Sequence, residues 1–135
     1  MKKAVKIYKR GVELGSVDSM INLGSIFIRG DGVKLDKKKA TQLWKIAAER
    51  GNAMAQAKFS TLFVHSDPKE ALRWMTLSAQ QGFTEGESIL GAFLSHGPHA
   101  AEIDLDEAKR WLTRAAAKGH AHAIEALETF PRQHP

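Results

Sequence analysis

Apolar and small residues recur along the chain at helical rather than strand spacing, in a unit that returns four times. Ala4, Ala40, Ala71 and Ala108 are each followed eleven residues later by a glycine: Gly15, Gly51, Gly82 and Gly119. Between alanine and glycine stands a large aromatic, Tyr8, Trp44, Trp74 or Trp111, three or four residues after the alanine. Small pairs follow at Ala47-Ala48, Ser78-Ala79 and Ala115-Ala116, while the first unit has Gly11-Val12 there. A face with one bulky packing residue and small residues a turn further on lets a neighbouring helix come close. The pattern predicts four amphipathic helices, each closed by a glycine.

A second periodic segment follows each glycine. Counted from it, position eight holds Leu23, Phe59, Leu90 and Leu127, position nine Gly24, Ser60 and Gly91, and position twelve Phe27, Phe63 and Leu94. This is again helical spacing, so each segment packs as the partner of the preceding helix.

The boundaries carry their own chemistry. Asp36, Asp67 and Asp104 stand four residues before an anchor alanine, as N-caps for otherwise orphaned backbone N–H groups. Glu70 and Glu107 follow three residues later as capping boxes, and Pro68 takes a first helical position. The closing glycines suit a left-handed C′ residue that turns the chain sharply. Looser turns are expected at Gly30-Asp31-Gly32-Val33 and His96-Gly97-Pro98; the second unit has His65-Ser66-Asp67-Pro68 instead and is shorter.

A chain of 135 residues, 43% of them hydrophobic, can bury one core. The absence of cysteine excludes disulfides and thiolate metal sites. The basic start, Met1 to Lys9, has no apolar stretch after it, and no segment approaches a membrane span, so a cytoplasmic protein without membrane contact is expected. The net charge of +5 gathers at Lys2, Lys3, Lys6, Lys9 and Arg10 and again at Lys34, Lys37, Lys38 and Lys39. Neither run is interleaved with aromatics for stacking, and solvated helix faces explain both better than a nucleic-acid partner.

Candidate chemistry is sparse. His96 and His99 straddle Gly97-Pro98, and His120 and His122 form a second pair, but a metal would need further ligands near either. No nucleophile elbow, phosphate loop or zinc-protease motif is present. Arg29-Gly30-Asp31 is explained by the turn. No catalytic residue, metal or cofactor is expected, and the tryptophans read as packing residues.

Leu23-Gly24, Phe27, Gly30-Asp31-Gly32-Val33, Asp36, Lys39-Ala40, Trp44, Ala47-Ala48-Glu49 and Gly51-Asn52 together resemble one SEL-one-like repeat, a relative of the tetratricopeptide repeat. Leu90-Gly91, Asp104, Glu107-Ala108, Trp111, Ala115-Ala116 and Gly119-His120 restate it. The resemblance implies an all-α fold, a right-handed α/α superhelix or solenoid of helical hairpins with about seven helices. It divides a single domain, 1–135, into a half repeat at 1–15, repeats at 16–51, 52–82 (short) and 83–119, and a truncated half repeat at 120–135. It implies an adaptor or scaffold that holds another protein on a curved surface, of a kind most often met in bacteria. An immunity or effector protein that blocks a partner, or a basic nucleic-acid-binding module, are the alternatives.

Solenoid ends expose what interior repeats bury, so Val5, Ile7, Tyr8 and Val12 are expected to lie partly open, with the N-terminal helix available to a homo-oligomer or a longer array. In such repeats the helix after each glycine lines the concave face. Its positions outside the packing pattern are six, ten, thirteen and fourteen past the glycine: Ile21, Ser25, Ile28 and Arg29; Ala57, Thr61, Val64 and His65; Ser88, Ala92, Ser95 and His96. Small residues at Ser25, Thr61 and Ala92 would line a channel with Arg29, His65 and His96 as a polar rail, able to receive a partner segment.

Overall fold

The structure, a computed structural model, describes residues 2–30, 33–96 and 104–130, the side chains of Lys2 and His96 excepted. Asp36, Asp67 and Asp104 cap as their positions predict, each carboxylate accepting the backbone N–H three residues on, at 3.0, 3.3 and 3.1 Å. They open α3 (Lys37–Glu49), α5 (Pro68–Gln80) and α7 (Leu105–Ala117). With α1 (Lys2–Glu13), α2 (Val17–Arg29), α4 (Ala53–Thr61), α6 (Thr84–His96) and α8 (Ala121–Glu128) they make eight helices among the described residues. That is one more than the expected seven, because each half repeat contributes a whole helix. Consecutive helices pack on one another along the chain, as in a solenoid.

The chain turns between hairpin helices through the closing glycines. At Gly51, φ is +88° and the following Asn52 N–H donates back to the Ala47 carbonyl at 3.2 Å, a geometry that a side chain at Gly51 would strain. Ser16, Asn52 and His120, the residues just past the glycine, cap the next helix with their side chains.

Two expectations change. The capping boxes are half formed: Glu70 and Glu107 do not reach back to the cap but accept the indole N–H of Trp74 at 2.8 Å and of Trp111 at 3.0 Å, and pair with Arg73 and Arg110. Arg73, then the Trp74 N–H, hold the Glu70 carboxyl below its ordinary range. The N–H groups of Asp36, Asp67 and Asp104 instead donate to the carbonyls of Phe27, Phe63 and Leu94, at 2.9, 2.8 and 2.8 Å. Each cap thereby ties its helix to the position-twelve residue of the unit before, which lies within the helix at Phe27 and Leu94 and just past α4 at Phe63.

The tryptophans, in turn, occupy two registers. Trp44, four past Ala40, lies over Gly24, where a Cβ would come within 2.4 Å of the indole nitrogen, and donates to the Ile21 carbonyl at 3.2 Å. The same slot holds Met75 and Leu112, both fully buried, with Leu112 over Gly91. Trp74 and Trp111 stand one residue earlier, held by their glutamates. Trp74 packs edge-on against Phe59 at 5.4 Å, and Trp111 is half-buried beneath the Arg114 guanidinium.

Small residues meet where the helices of a hairpin cross, and their sizes compensate. Gly11 faces Ser19, and Gly86 faces Ser78, so that a Cβ on either glycine would fall 1.9 or 2.2 Å from the serine hydroxyl. The corresponding positions in the other hairpins are Ala47 with Ala55 and Ala115 with Ala123, all fully buried. Gly11 is therefore the partner of a serine rather than a weakened alanine. Gly86→Ala is expected to destabilise by about 1–3 kcal/mol through overpacking, net of the helix propensity that alanine adds. Adding Ser78→Ala, which recreates the alanine pair, should recover most of that loss in a urea denaturation series, despite removing the Ser78 bond to the Ala53 carbonyl.

A polar ladder joins successive units. The residue before each closing glycine reaches back to the carbonyl of the previous one: Arg50 to Gly15 at 3.0 Å, Gln81 to Gly51 at 2.9 Å and Lys118 to Gly82 at 2.8 Å. Gln81 also bonds Gln56, and Lys118 bonds the fully buried Glu87.

The N-terminal expectation is met in part. Val5 is buried with Leu23, Phe27 and Ala40, because α2 and α3 both cover it; Tyr8 and Val12 are half-buried, and Ile7 stands 59% exposed.

Candidate functional site

Besides the contacts between consecutive helices, direct contacts run between α4 and α6 and between α6 and α8, whereas no two odd-numbered helices make a comparable contact among the described residues. An even helix is flanked by its hairpin partner and by the next odd helix, so two of its faces are buried and a narrow stripe stays open. That stripe runs through positions three, seven, ten and fourteen past each glycine. It comprises Asp18, Asn22, Ser25 and Arg29 on α2, then Met54, Lys58 and Thr61 on α4, then Glu85, Ile89 and Ala92 on α6, all exposed or half-buried.

Two troughs open along it. One, of about 400 Å³, lies between α1, α2 and α4 and is bounded by Tyr8, Asn22, Ser25, Arg29, Met54 and Lys58, with Ile21 at its base. The other, of about 490 Å³, lies between α4 and α6 and is bounded by Met54, Lys58, Thr61, Phe83, Glu85 and Ile89, with Ala57 and the edge of Trp44 beneath. Met54 and Lys58 belong to both, so the two troughs adjoin on either side of these side chains on α4. Lys58 lies 5.7 Å from the Trp44 ring centroid, and Met54 is well exposed for so apolar a side chain. The first trough holds two cations, an amide, a hydroxyl and a phenol, with no carboxylate among its lining residues.

Of the twelve positions marked from sequence, Ile21, Ser25, Arg29, Ala57 and Thr61 line these troughs. Ile28 and Val64 are half-buried against the core, Ser88 and Ser95 are buried, and Ala92 is half-buried. His65 is exposed but lies beyond α4, which ends at Thr61, because the short second unit turns early. His96 closes α6, and its side chain lies outside the described residues, as do His99, Asp31 and Gly32. Reading positions six and thirteen as open assumed a helix buried on one side only. Sequence reasoning missed Met54 and Lys58, whose signal was variety: position three reads Asp18, Met54, Glu85 and His122, and position seven Asn22, Lys58, Ile89 and Ala126, with no repeated apolar residue at either.

His120, just past Gly119, serves structure. His120 accepts the Ala123 N–H at Nδ1 and meets Glu85 at 2.7 Å through Nε2, so both ring nitrogens are engaged. No group of three metal-ligating side chains occurs among the described residues, and none of the described helices is long and apolar enough to cross a membrane.

Comparison with known proteins bears on the family and the fold. The model of the Sel1 repeat matches residues 17–52, 62–83 and 85–120. The chain is 31% identical over 99 residues to an F-box protein of Arabidopsis thaliana, covering 70% of this chain and 27% of that protein. It is 30% identical over 121 residues to chitin synthase regulatory factor 3 of Schizosaccharomyces pombe, covering 83% of this chain and 13% of the relative. The chain thus spans well under a third of these longer relatives, and further relatives come from mouse and from bacteria, so the family is not confined to bacteria. Among solved structures, a protective antigen of uropathogenic Escherichia coli with an SLR fold superposes with a TM-score of 0.84 at 25% identity, over 93% of this chain and 28% of that one. A Sel1 repeat protein from Oxalobacter formigenes superposes with a TM-score of 0.75 at 25% identity, over 92% of this chain and 96% of that one. The expected all-α superhelical solenoid is the fold of both. Proteins built from this repeat are generally protein-interaction or scaffold modules, and the chain belongs to the Sel1 repeat family.

Proposed function

We propose that the chain is an adaptor that holds a segment of a partner protein in the concave trough crossing α2, α4 and α6. The observation that supports this reading is that two adjoining troughs share Met54 and Lys58 as lining residues. An exposed thioether beside a cation offers adaptable apolar contact and charge in one place. With Arg29 and Lys58 on its walls and no carboxylate in its first section, the trough favours a segment that pairs an acidic group with an apolar side chain. Arg29 and His65, with His96, are assigned the polar rail at the C-terminal ends of these helices, and Ser25, Thr61 and Ala92 the shallow floor. The half repeats and repeats that divide residues 1–135 form the scaffold that presents them. The names of two relatives, a chitin synthase regulatory factor and a DAP3-binding cell death enhancer, support a role exercised on other proteins.

Selection of peptides from a random library on the immobilised chain tests the reading. The expected motif places Asp or Glu near a large apolar residue. Lys58→Glu is expected to weaken the selected peptide at least about tenfold, a change of roughly 1.4 kcal/mol. Lys109→Glu, on the exposed outer face of α7, should leave it unchanged. Peptides that bind both variants as well as the unaltered chain contradict the assignment.

A further inference from the structure

The trough between α4 and α6 carries opposite charges on its two walls. Lys58 stands on the α4 side, against the Trp44 ring and in no ion pair among the described residues, and Glu85 stands on the α6 side. Met54, Phe83 and Ile89 supply apolar surface beside them. Glu85 is the one carboxylate among the described lining residues of either trough.

Glu85 is held from behind by His120, whose Nε2 lies 2.7 Å from its Oε2. The tautomer follows from the other ring nitrogen, Nδ1, which meets the backbone N–H of Ala123 at 3.2 Å. A backbone N–H can only donate, so Nδ1 carries no proton, the ring is neutral, and Nε2–H donates to the carboxylate. Glu85 thus keeps its full charge; its Oε1 accepts no hydrogen bond among the described residues, and the side chain is 55% exposed. Ser16 and Asn52 make the same cap in other units without a titratable group. The other charged or titratable groups around His120 are Glu87 of α6, Arg114 of α7 and Lys118 just past it, which meet one another, and His122 of α8, whose ring centroid is 6.3 Å away.

We propose that Glu85, positioned by neutral His120, receives a lysine or arginine of the partner segment. The segment then presents an acidic group to Lys58, an apolar side chain to Met54, Phe83 and Ile89, and a base to Glu85. This deepens the trough reading above and rests on it. Acid and base must lie on opposite sides of the apolar residue, and a segment acidic throughout is repelled at Glu85. Protonation of His120 puts a proton on Nδ1, removes the acceptor for Ala123 N–H and cancels the negative charge that the His120–Glu85 pair offers. The partner's base then loses its attraction, while the contact at Lys58 is untouched.

Calorimetric titration of the full chain with a library-selected peptide, and with its copy carrying glutamine for the base, tests this. Glu85→Gln keeps an acceptor for Nε2–H and removes the charge. It is expected to weaken the base-bearing peptide about threefold to fivefold, the size of an exposed ion pair, and to leave the glutamine copy unchanged. Acidification from about pH 8 to about 5.5, across the range where imidazole gains its proton, should weaken the base-bearing peptide by a similar factor and spare the copy. His120→Asn, which copies the cap of Asn52, should flatten that profile; a histidine with a structural role alone would shift both peptides alike. Selected motifs that lack a base opposite the acid overturn the proposal. So does a Glu85→Gln variant that weakens neither peptide, or both equally, while Lys58→Glu weakens both; the trough reading then stands without it. Binding indifferent to Lys58→Glu and Glu85→Gln alike overturns both. A pH profile that persists in His120→Asn contradicts the positioning by His120.

Discussion

Trp44→Ala is expected to destabilise the chain by about 3–5 kcal/mol, the range for emptying a buried tryptophan site. The ring is 5% exposed, belongs to the cluster of Met20, Ile21, Phe59 and Trp74, and donates to the Ile21 carbonyl in the interior. Gly24 is shaped to admit that ring, so truncation leaves a void that the rigid backbone of α2 closes only in part. Trp111→Ala, by contrast, should cost about 1–2 kcal/mol, because that ring is only half-buried, packing at the edge of the cluster of Leu90 and Phe93 and held by Glu107 and Arg114. Urea denaturation with unchanged m-values checks both. Equal losses for the two tryptophans would mean that they fill equivalent slots, contrary to the two registers seen in the fold.

Lys118→Ala should cost about 3 kcal/mol, the lower end of the range for removing one partner of a buried ion pair. Glu87 has no exposed surface, and its Oε1 depends on Lys118. Its Oε2 accepts no hydrogen bond among the described residues, although the Arg114 guanidinium approaches within 3.4 Å. Without the ammonium, a buried carboxylate keeps only that poorly aligned neighbour. Combining Lys118→Gln with Glu87→Gln copies the Gln81–Gln56 rung of the joint before it, and should return stability to within about 1 kcal/mol of the unaltered chain. Thermal melts of the single and double variants measure this. A Lys118→Ala variant that melts with the unaltered chain would show that the rung carries no weight in holding the last two units together.

Much of the scaffold could be read from the spacing of alanine, glycine and aspartate, because those residues act locally. A cap bonds three residues away, and a closing glycine sets one dihedral angle. Asp36, Asp67 and Asp104 therefore behave as their positions predict. What could not be read depended on contacts between units. Trp44 and Trp74 look alike in sequence but differ by one position from their alanines, a rotation of roughly 100° about a helix, and only the packing shows that Met75 and Leu112 are the true counterparts of Trp44. Gly11 looked like a departure from the alanine pair until Ser19 was placed against it. The ladder of Arg50, Gln81 and Lys118 escaped notice because three chemically different side chains perform the same act, each reaching the carbonyl of the closing glycine one unit earlier.

The candidate site was legible in its helices and in Ser25, Arg29 and Thr61, but not in its exact stripe. Ile21 and Ala57 sit at the base rather than on the walls, and Met54 and Lys58 had no repeated residue type to mark them. Surface positions of a repeat vary where core positions recur, so a search for recurrence finds the scaffold and passes over the stripe proposed to receive a partner.

The central claim is that this concave stripe, rather than the outer surface, receives the partner, and a chemical-shift map of the full chain with a library-selected peptide addresses it most directly. The account predicts that backbone amide shifts concentrate at Asn22, Ser25, Met54, Lys58, Thr61 and Ile89. Shifts concentrated instead at Lys9, Gln42 and Ile46, which line the groove on the opposite side between α1 and α3, would contradict it.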